Sequence, residues 1–547
     1  MPTASTKQSR KRAPGGWGAV SSAYGKGGKG EPPAPAADED FPQRVWLYAS
    51  LGILLLAFAL RVYALDMKPL HHDEGVNGFF LTNLMRQGHY AYDPQNYHGP
   101  TLYYLTLPFV WLAGLHTFLI RLVPALFGVG VVWLVLALRR YVGAVAALTA
   151  ALLVAVSPAC VFYSRYFIHE MLFVFFTLAM VVYALRFRES GAAGDLLAVS
   201  GAAALMFATK ETAFISVGTV GLAWLTALVW ARLSGRRGRY ASGAAEGGFA
   251  KLHREGKLGF ALAGAAALFV VIWVAFYSSF FTNWKGVFWD SFEAFDVWGK
   301  TGMSEFHAKP FGTYVKWLVQ EDVAVLVLGA LGAAVALFER RLNRFAVFFA
   351  AWGFGLLVAY SIISYKTPWL VLSFVVPLAV AGGYAVQAFG RWVSGVPSRG
   401  RRAAAAWALA AAAFGLYQTY VLNFREYDDD RHPYVYSQTQ RGFLDLVREI
   451  ERVGERAGTK EPGFATASPE YWPSPWYFRN NPNAGYEGQL ASSYNPQKTL
   501  AIIGRVDQLP QLELVAGDNY KRVGDTYPLR PGVSLVLFVR RDLAPKQ

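Results

Sequence analysis

Residues 101–115 read TLYYLTLPFVWLAGL, and whether this stretch crosses a membrane decides how the whole chain is threaded. It is apolar, yet it falls short of the roughly 20 residues that a helical span needs. Pro108 also interrupts it. Longer apolar runs occupy 45–65, 120–138, 142–163, 171–187, 196–209, 212–231, 258–281, 323–338, 345–363, 368–390 and 403–422. If 101–115 does not cross, one side of the membrane receives the basic N-terminal tail, Arg139/Arg140, Arg186/Arg188, the stretch 232–257, Arg340/Arg341/Arg344 and the stretch 391–402. Positively charged loops face the cytoplasm. If 101–115 crossed, each later basic cluster would lie opposite the tail. The chain therefore reads as eleven spans with a cytoplasmic N-terminus, and 101–115 lies in or dips into the outer interface.

Composition supports a membrane protein. Of 547 residues, 54% are hydrophobic and only 16% charged, against about 25% charged in ordinary globular domains. In a soluble chain the net charge of +15 would raise nucleic-acid binding. Here the location of the charges in inner loops matters more than their sum, and no nucleic-acid partner is expected. The sole cysteine, Cys160, lies inside an apolar run, which excludes a disulfide framework and a Cys-based zinc site. The 17 Trp and 29 Tyr suit interfacial anchoring and an aromatic-lined sugar or lipid site. Residues 1–41, rich in Gly, Ser, Ala, Pro and Lys, read as a disordered basic tail. The run 45–65 lacks a clean small-residue cleavage site and reads as an uncleaved first span. Residues 42–422 form the membrane domain. Residues 423–547 return to ordinary soluble composition and read as an exported α/β domain, with a helix over 438–457 and strands at 463–467, 499–504 and 533–540.

On this threading the polar chemistry collects outside: in 66–119, in turns at 164–170, 209–211 and 364–369, and in the loop 282–322. His71-His72-Asp73-Glu74 follows the first span, and Tyr97-His98-Gly99-Pro100 follows it in turn. Adjacent carboxylates with imidazoles nearby supply a general base and a metal or phosphate contact; equally, acids at a helix start meet the helix dipole. Val76, Phe79, Phe80 and Leu84 fall on one helical face and Asn77, Thr82, Asn83 and Arg86 on another, which predicts a short amphipathic helix lying on the membrane. Ser164-Arg165-Tyr166-Phe167-Ile168-His169-Glu170 places Arg, His and Glu at the membrane surface, either to hold a phosphate and a cation or to pair among themselves. The HExxH zinc pattern fails there for want of a second His. Lys210-Glu211 forms a similar turn, for which an ion pair is the simpler account. The loop 282–322 is long enough to serve as a lid or binding loop. It carries His307, either a metal ligand or a solvated side chain. Tyr365-Lys366-Thr367-Pro368-Trp369 puts a cation at a span end, fit for a phosphate and equally for snorkelling. Charged groups recur at outer span ends and almost never in mid-span, whereas a transporter places them at the midplane.

These residues resemble the GT-C glycosyltransferases, the superfamily of dolichyl-phosphate-mannose protein mannosyltransferases and lipid A aminoarabinose transferases. The likeness is closer to the flippase activity-associated family within it. It runs through HHDEG (71–75), YHGP (97–100), SRYFIHE (164–170), TKE (209–211), YKTPW (365–369) and SPEYWPSPWYFR (468–479). The resemblance implies a GT-C-like polytopic α-helical fold and an inverting transferase of the plasma membrane that acts in the cell envelope. Its donor is a polyprenyl-phosphate sugar and its acceptor a glycan, lipid or protein hydroxyl. It implies Asp73 as catalytic base with Glu74 beside it, and Arg165, Lys210 and Lys366 on the donor phosphate. His72, His98, Glu211, Tyr365 and Trp369 are then acceptor or substrate contacts. Glu170, His169 and His307 are the candidate ligands of a divalent metal ion, although the wider pattern more often has Asp at 170 and seldom a preceding His. The competing expectation is a non-catalytic partner of lipid-linked sugar translocation.

Overall fold

The computed structural model describes residues 41–96, 98–234, 247–302, 308–339 and 343–545. The tail read as disordered falls outside them but for Phe41, and so does His307. Among the described residues eight helices are long and apolar enough to span: Gln43–Val62, Thr117–Val142, Glu170–Ser190, Ala213–Leu233, Leu258–Tyr277, Arg344–Ile362, Pro368–Val393 and Pro397–Arg425. Two further pairs qualify only when joined across a bend, Ala144–Val156 with Pro158–Ser164 at 56° and Thr313–Glu321 with Val323–Phe338 at 113°. By length and composition alone this gives eight spans, or ten when each bent pair counts as one; of the eleven expected runs, 196–209 is the short apolar helix Ala193–Phe207 of 15 residues. Thr101–Ala113 is shorter still.

The two bends are pinned to each other. Ser157 caps Pro158–Ser164 by accepting from the Cys160 N–H at 3.2 Å, and its hydroxyl donates to Asp322 at 2.6 Å. Asp322, at the 113° bend, also accepts from the Ala159 N–H at 3.2 Å and the Tyr434 hydroxyl at 3.0 Å. Each carbonyl or N–H that a broken helix frees needs a partner in lipid. Three fully buried arginines supply others. Arg61 donates to the carbonyls of Val154 and Ala155, Arg121 to those of Leu65, Lys68 and Pro69, and Arg165 to those of Leu60, Arg61, Tyr63 and Ala64. The centre of the bundle is Pro368–Val393, whose neighbours approach on small residues: a Cβ at Gly332 would collide with the Ala381 carbonyl.

The outer loops differ from expectation in two ways. The stretch 282–322 is mostly helical, with a π-turn at Gly286–Asp290 and helices Ser291–Gly302 and Thr313–Glu321. The amphipathic helix is His72–Gln87. It buries Asn77 and Thr82 together with Leu81 and Leu84 and leaves Phe79 exposed, so the buried face is not the apolar one read from the sequence. Asn77 donates to the Phe167 carbonyl and accepts from the Tyr103 hydroxyl, both at 2.9 Å, which lets a polar side chain share that face with leucines. The other side of this helix receives the 468–479 segment, where Pro473 and Trp476 pack on Gly75 and Gly78.

The C-terminal domain is a five-stranded sheet in the order β2-β1-β3-β5-β4. The strands are β1 (Phe464–Thr466), β2 (Ala484–Tyr486), β3 (Ala501–Arg505), β4 (Tyr520–Arg530) and β5 (Val533–Arg540). β1 runs parallel to β2 and β3, whereas β5 is antiparallel to β3 and β4. Phe443–Arg456 packs on one face and Leu509–Ala516 on the other. Sequence periodicity misses β2 and β4. Both are edge strands, and β4 carries Gly524, Asp525 and an irregular register, so neither shows a sustained apolar alternation.

Candidate active site

The start of the helix His72–Gln87 separates the two acids that sequence leaves equivalent. His71 is the N-cap: its Nδ1 accepts from the Asp73 N–H at 3.1 Å, and the Glu74 carboxylate accepts from the His71 N–H at 2.9 Å. Glu74 is completely buried and also takes the Arg121 fork through two bonds of 2.7 Å and the Phe167 N–H at 2.9 Å. Burial alone would raise its pKa, but the Arg121 guanidinium holds the carboxyl below the usual range. Glu74 is thus a capping-box acid and counter-ion. Its expected place in the catalytic machinery is corrected, because all its acceptor positions are engaged away from the cavity. Asp73 takes the other course. Its side chain is 40% exposed, the His71 Nδ1 lies 3.9 Å away, and no donor among the described residues hydrogen-bonds its carboxylate. The surrounding protein strips water from Asp73 and raises its pKa, against opposing pulls from His72 and Lys210.

Asp73 faces a cavity of ≈ 540 Å³. The membrane half contributes His71, His72, Asn77, Gln95, Asn96, His98, His169, Glu170, Lys210, Tyr360, Tyr365 and Trp369, and the helix Ser291–Gly302 adds Trp298 and Thr301. The C-terminal domain adds Tyr436, Ser437, Glu470 and Arg530. Amides, imidazoles, paired charges and aromatic faces line one space, a composition suited to a hydroxyl-rich ligand. Lys210 donates to Glu170 at 2.5 Å. His98 Nδ1 lies 3.4 Å from the buried Glu211 carboxyl, whose pKa burial pushes up to about 8, while burial holds His98 well below its ordinary value. Burial likewise lowers His71 and His72 to about 4 and His169 to about 3.

Of the residues singled out by sequence, the cavity gathers Asp73, His72, His98, His169, Glu170, Lys210, Tyr365 and Trp369, and Glu211 backs it through His98. Arg165 does not line it, since its guanidinium caps the end of the first span. Lys366 is turned to the Ile363 carbonyl, also outside the lining. The assignment of both to donor phosphate is corrected on that geometry. The suggested metal set is not assembled among the described residues. Glu170 is neutralised by Lys210, His169 Nε2 lies 3.1 Å from the Gly99 carbonyl, and no three His, Cys, Asp or Glu side chains converge. Sequence reasoning missed Tyr436, Ser437 and Arg530, which arrive from the C-terminal domain without any local motif, and gave no role to Glu470, although it lies in the SPEYWPSPWYFR segment.

The chain has the fold seen in ArnT and in an archaeal oligosaccharyltransferase. ArnT of Cupriavidus metallidurans in its apo state superposes with a TM-score of 0.62 at 14% identity, covering 92% of this chain and 99% of the other. The same protein bound to undecaprenyl phosphate gives 0.60 at 13% identity, covering 92% and 100%. The oligosaccharyltransferase of Archaeoglobus fulgidus, tethered to an acceptor peptide, gives 0.54 at 13% identity, covering 86% and 70%. Residues 97–245 match the family model of dolichyl-phosphate-mannose-protein mannosyltransferases. No curated protein matches in sequence.

Proposed function

We propose that the protein is an inverting membrane glycosyltransferase that moves a sugar from a polyprenyl-phosphate carrier to an acceptor hydroxyl at the outer face. The observation that carries this reading is Asp73, a carboxylate set in a polar cavity and left without a hydrogen-bond donor while its neighbour Glu74 is consumed. A carboxylate with a raised pKa in such a place suits general-base work. Asp73 takes the proton of the acceptor hydroxyl. The oxygen forms a bond to the anomeric carbon from the face opposite the carrier, the bond from that carbon to the phosphate oxygen breaks, and the phosphate leaves with the electron pair. Lys210, on the membrane side of the cavity, is the cation that meets the growing charge, while Glu170 orients it. The relation in fold to an ArnT captured with undecaprenyl phosphate supports a lipid-phosphate carrier here, and multiple spans supply the surface at which such a lipid is presented.

The test is transfer of label from polyprenyl-phosphate sugars in membranes containing the protein. The expected outcome is a labelled glycan, lipid or protein product, and a loss of roughly a hundredfold or more in Asp73→Asn, the usual scale for removing a general base. Full activity in Asp73→Asn would dismiss Asp73 as the base. A parent protein that binds the carriers but transfers from none would favour the non-catalytic partner of lipid-linked sugar translocation.

A further inference from the structure

The cavity has two poles of opposite origin. The membrane domain supplies Lys210 and Glu170, and the exported domain supplies Arg530 and Glu470. Arg530 closes β4 and reaches across the domain boundary, where its Nη1 lies 3.1 Å from His72 Nδ1. Its Nη2 is ion-paired with Glu470. These two contacts engage part of a guanidinium with five N–H groups, and one Glu470 carboxylate oxygen also stays unengaged among the described residues. The pair is only partly covered, with side-chain exposures of 15% and 32%. Contact with Arg530 fixes His72 as well: an Nδ1 that accepts from the guanidinium leaves the hydrogen of a neutral imidazole on Nε2. His72 immediately precedes Asp73, and burial keeps it neutral.

A polyprenyl carrier holds its phosphate at the membrane surface, so the donor approaches from the pole bearing Lys210. The other partner enters from the pole built by the exported domain. There, the guanidinium of Arg530 and the carboxylate of Glu470 side by side offer hydrogen-bond donors and acceptors to a polyhydroxyl ligand, and Tyr436 and Ser437 complete the wall. Resting on the transferase reading, we infer that Arg530 and Glu470 form the acceptor subsite and that the acceptor presented there is a carbohydrate. The pair holds vicinal hydroxyls of the acceptor sugar and sets a further hydroxyl against Asp73. The exported domain is therefore half of the binding site.

The experiment uses the full chain in lipid nanodiscs, titrated separately with undecaprenyl phosphate and with methyl-capped trisaccharides of mannose, glucose and galactose. At least one trisaccharide is expected to bind saturably. Its Kd should rise tenfold or more in Arg530→Met and in Glu470→Gln and less in Arg530→Lys, which keeps the charge but loses the fork. Undecaprenyl phosphate should bind all variants like the parent, and this also verifies their fold. Trisaccharide binding unchanged in both Arg530→Met and Glu470→Gln overturns the subsite. So does the absence of trisaccharide binding in a parent that binds undecaprenyl phosphate. A parent that binds trisaccharide but no undecaprenyl phosphate overturns the donor reading instead, and the substitutions still decide the subsite.

Discussion

An acid that receives four hydrogen bonds and an acid that receives none stand side by side at positions 74 and 73. The contrast predicts opposite phenotypes from isosteric changes. Glu74→Gln turns an amide N–H₂ toward donors and leaves the buried Arg121 without its counter-ion, a loss on the scale of about 3–5 kcal/mol for a broken buried pair. Thermal unfolding in detergent should show a markedly lowered midpoint, with activity falling in step with folded protein. Asp73→Asn should leave the midpoint unchanged or slightly higher. The raised pKa of Asp73 means that its ionised form disfavours folding, a penalty felt above the folded pKa and removed in the amide. For the same reason the acid limb of kcat/KM should rise with pH above the ordinary carboxylate range, and a limb at the value of a free Asp would contradict that environment. The sequence displays both acids and a helix start. It does not say which acid meets Arg121, because that arginine stands inside an apolar run 47 residues away and announces only that some buried partner exists.

At the level of elements, the bent pair Thr313–Glu321 and Val323–Phe338 is tied to the segment leading into the C-terminal domain by an imidazole clamp. His432 Nδ1 lies 2.9 Å from Glu321 and its Nε2 3.0 Å from Glu426. The Glu321 hydrogen bond is the largest cause of a His432 pKa raised to about 9, opposed by burial and reinforced by Glu426. A raised histidine pKa stabilises the fold fully below the unfolded value near 6.5, and this contribution disappears as pH climbs through about 9. The midpoint should therefore fall between pH 7 and 10 in the parent and fall less in His432→Gln; parallel profiles would show that the clamp carries no charge. Ser157-Pro158 is a visible helix start, yet the apolar run around it reads as one span, because hydropathy counts residues and does not register a 56° bend. The basic clusters between the apolar runs, by contrast, are legible in the sequence, since they depend on charge alone. Edge strands such as β4 leave no such trace.

For the molecule as a whole, orientation is the premise of the proposed chemistry. Cys160 is buried, so a cysteine introduced at Leu514, which is well exposed on Leu509–Ala516, is the sole accessible thiol. It should react with an impermeant maleimide on intact cells; reaction only after permeabilisation would reverse the threading. Long-range assembly also explains why half the site escapes sequence reasoning: Arg530 meets His72 across 458 residues, with an ordinary strand as its only local context. The same separation governs Arg61. Its carbonyl partners at 154 and 155 lie more than 90 residues downstream, and at about 5–20 residues per second the ribosome needs roughly 5–20 s to deliver them. Through that interval the guanidinium of the first span has the Ala57 carbonyl of its own helix but neither of those two downstream carbonyls. Its release into lipid waits on the insertion machinery, and the order of synthesis becomes part of how the bundle is closed.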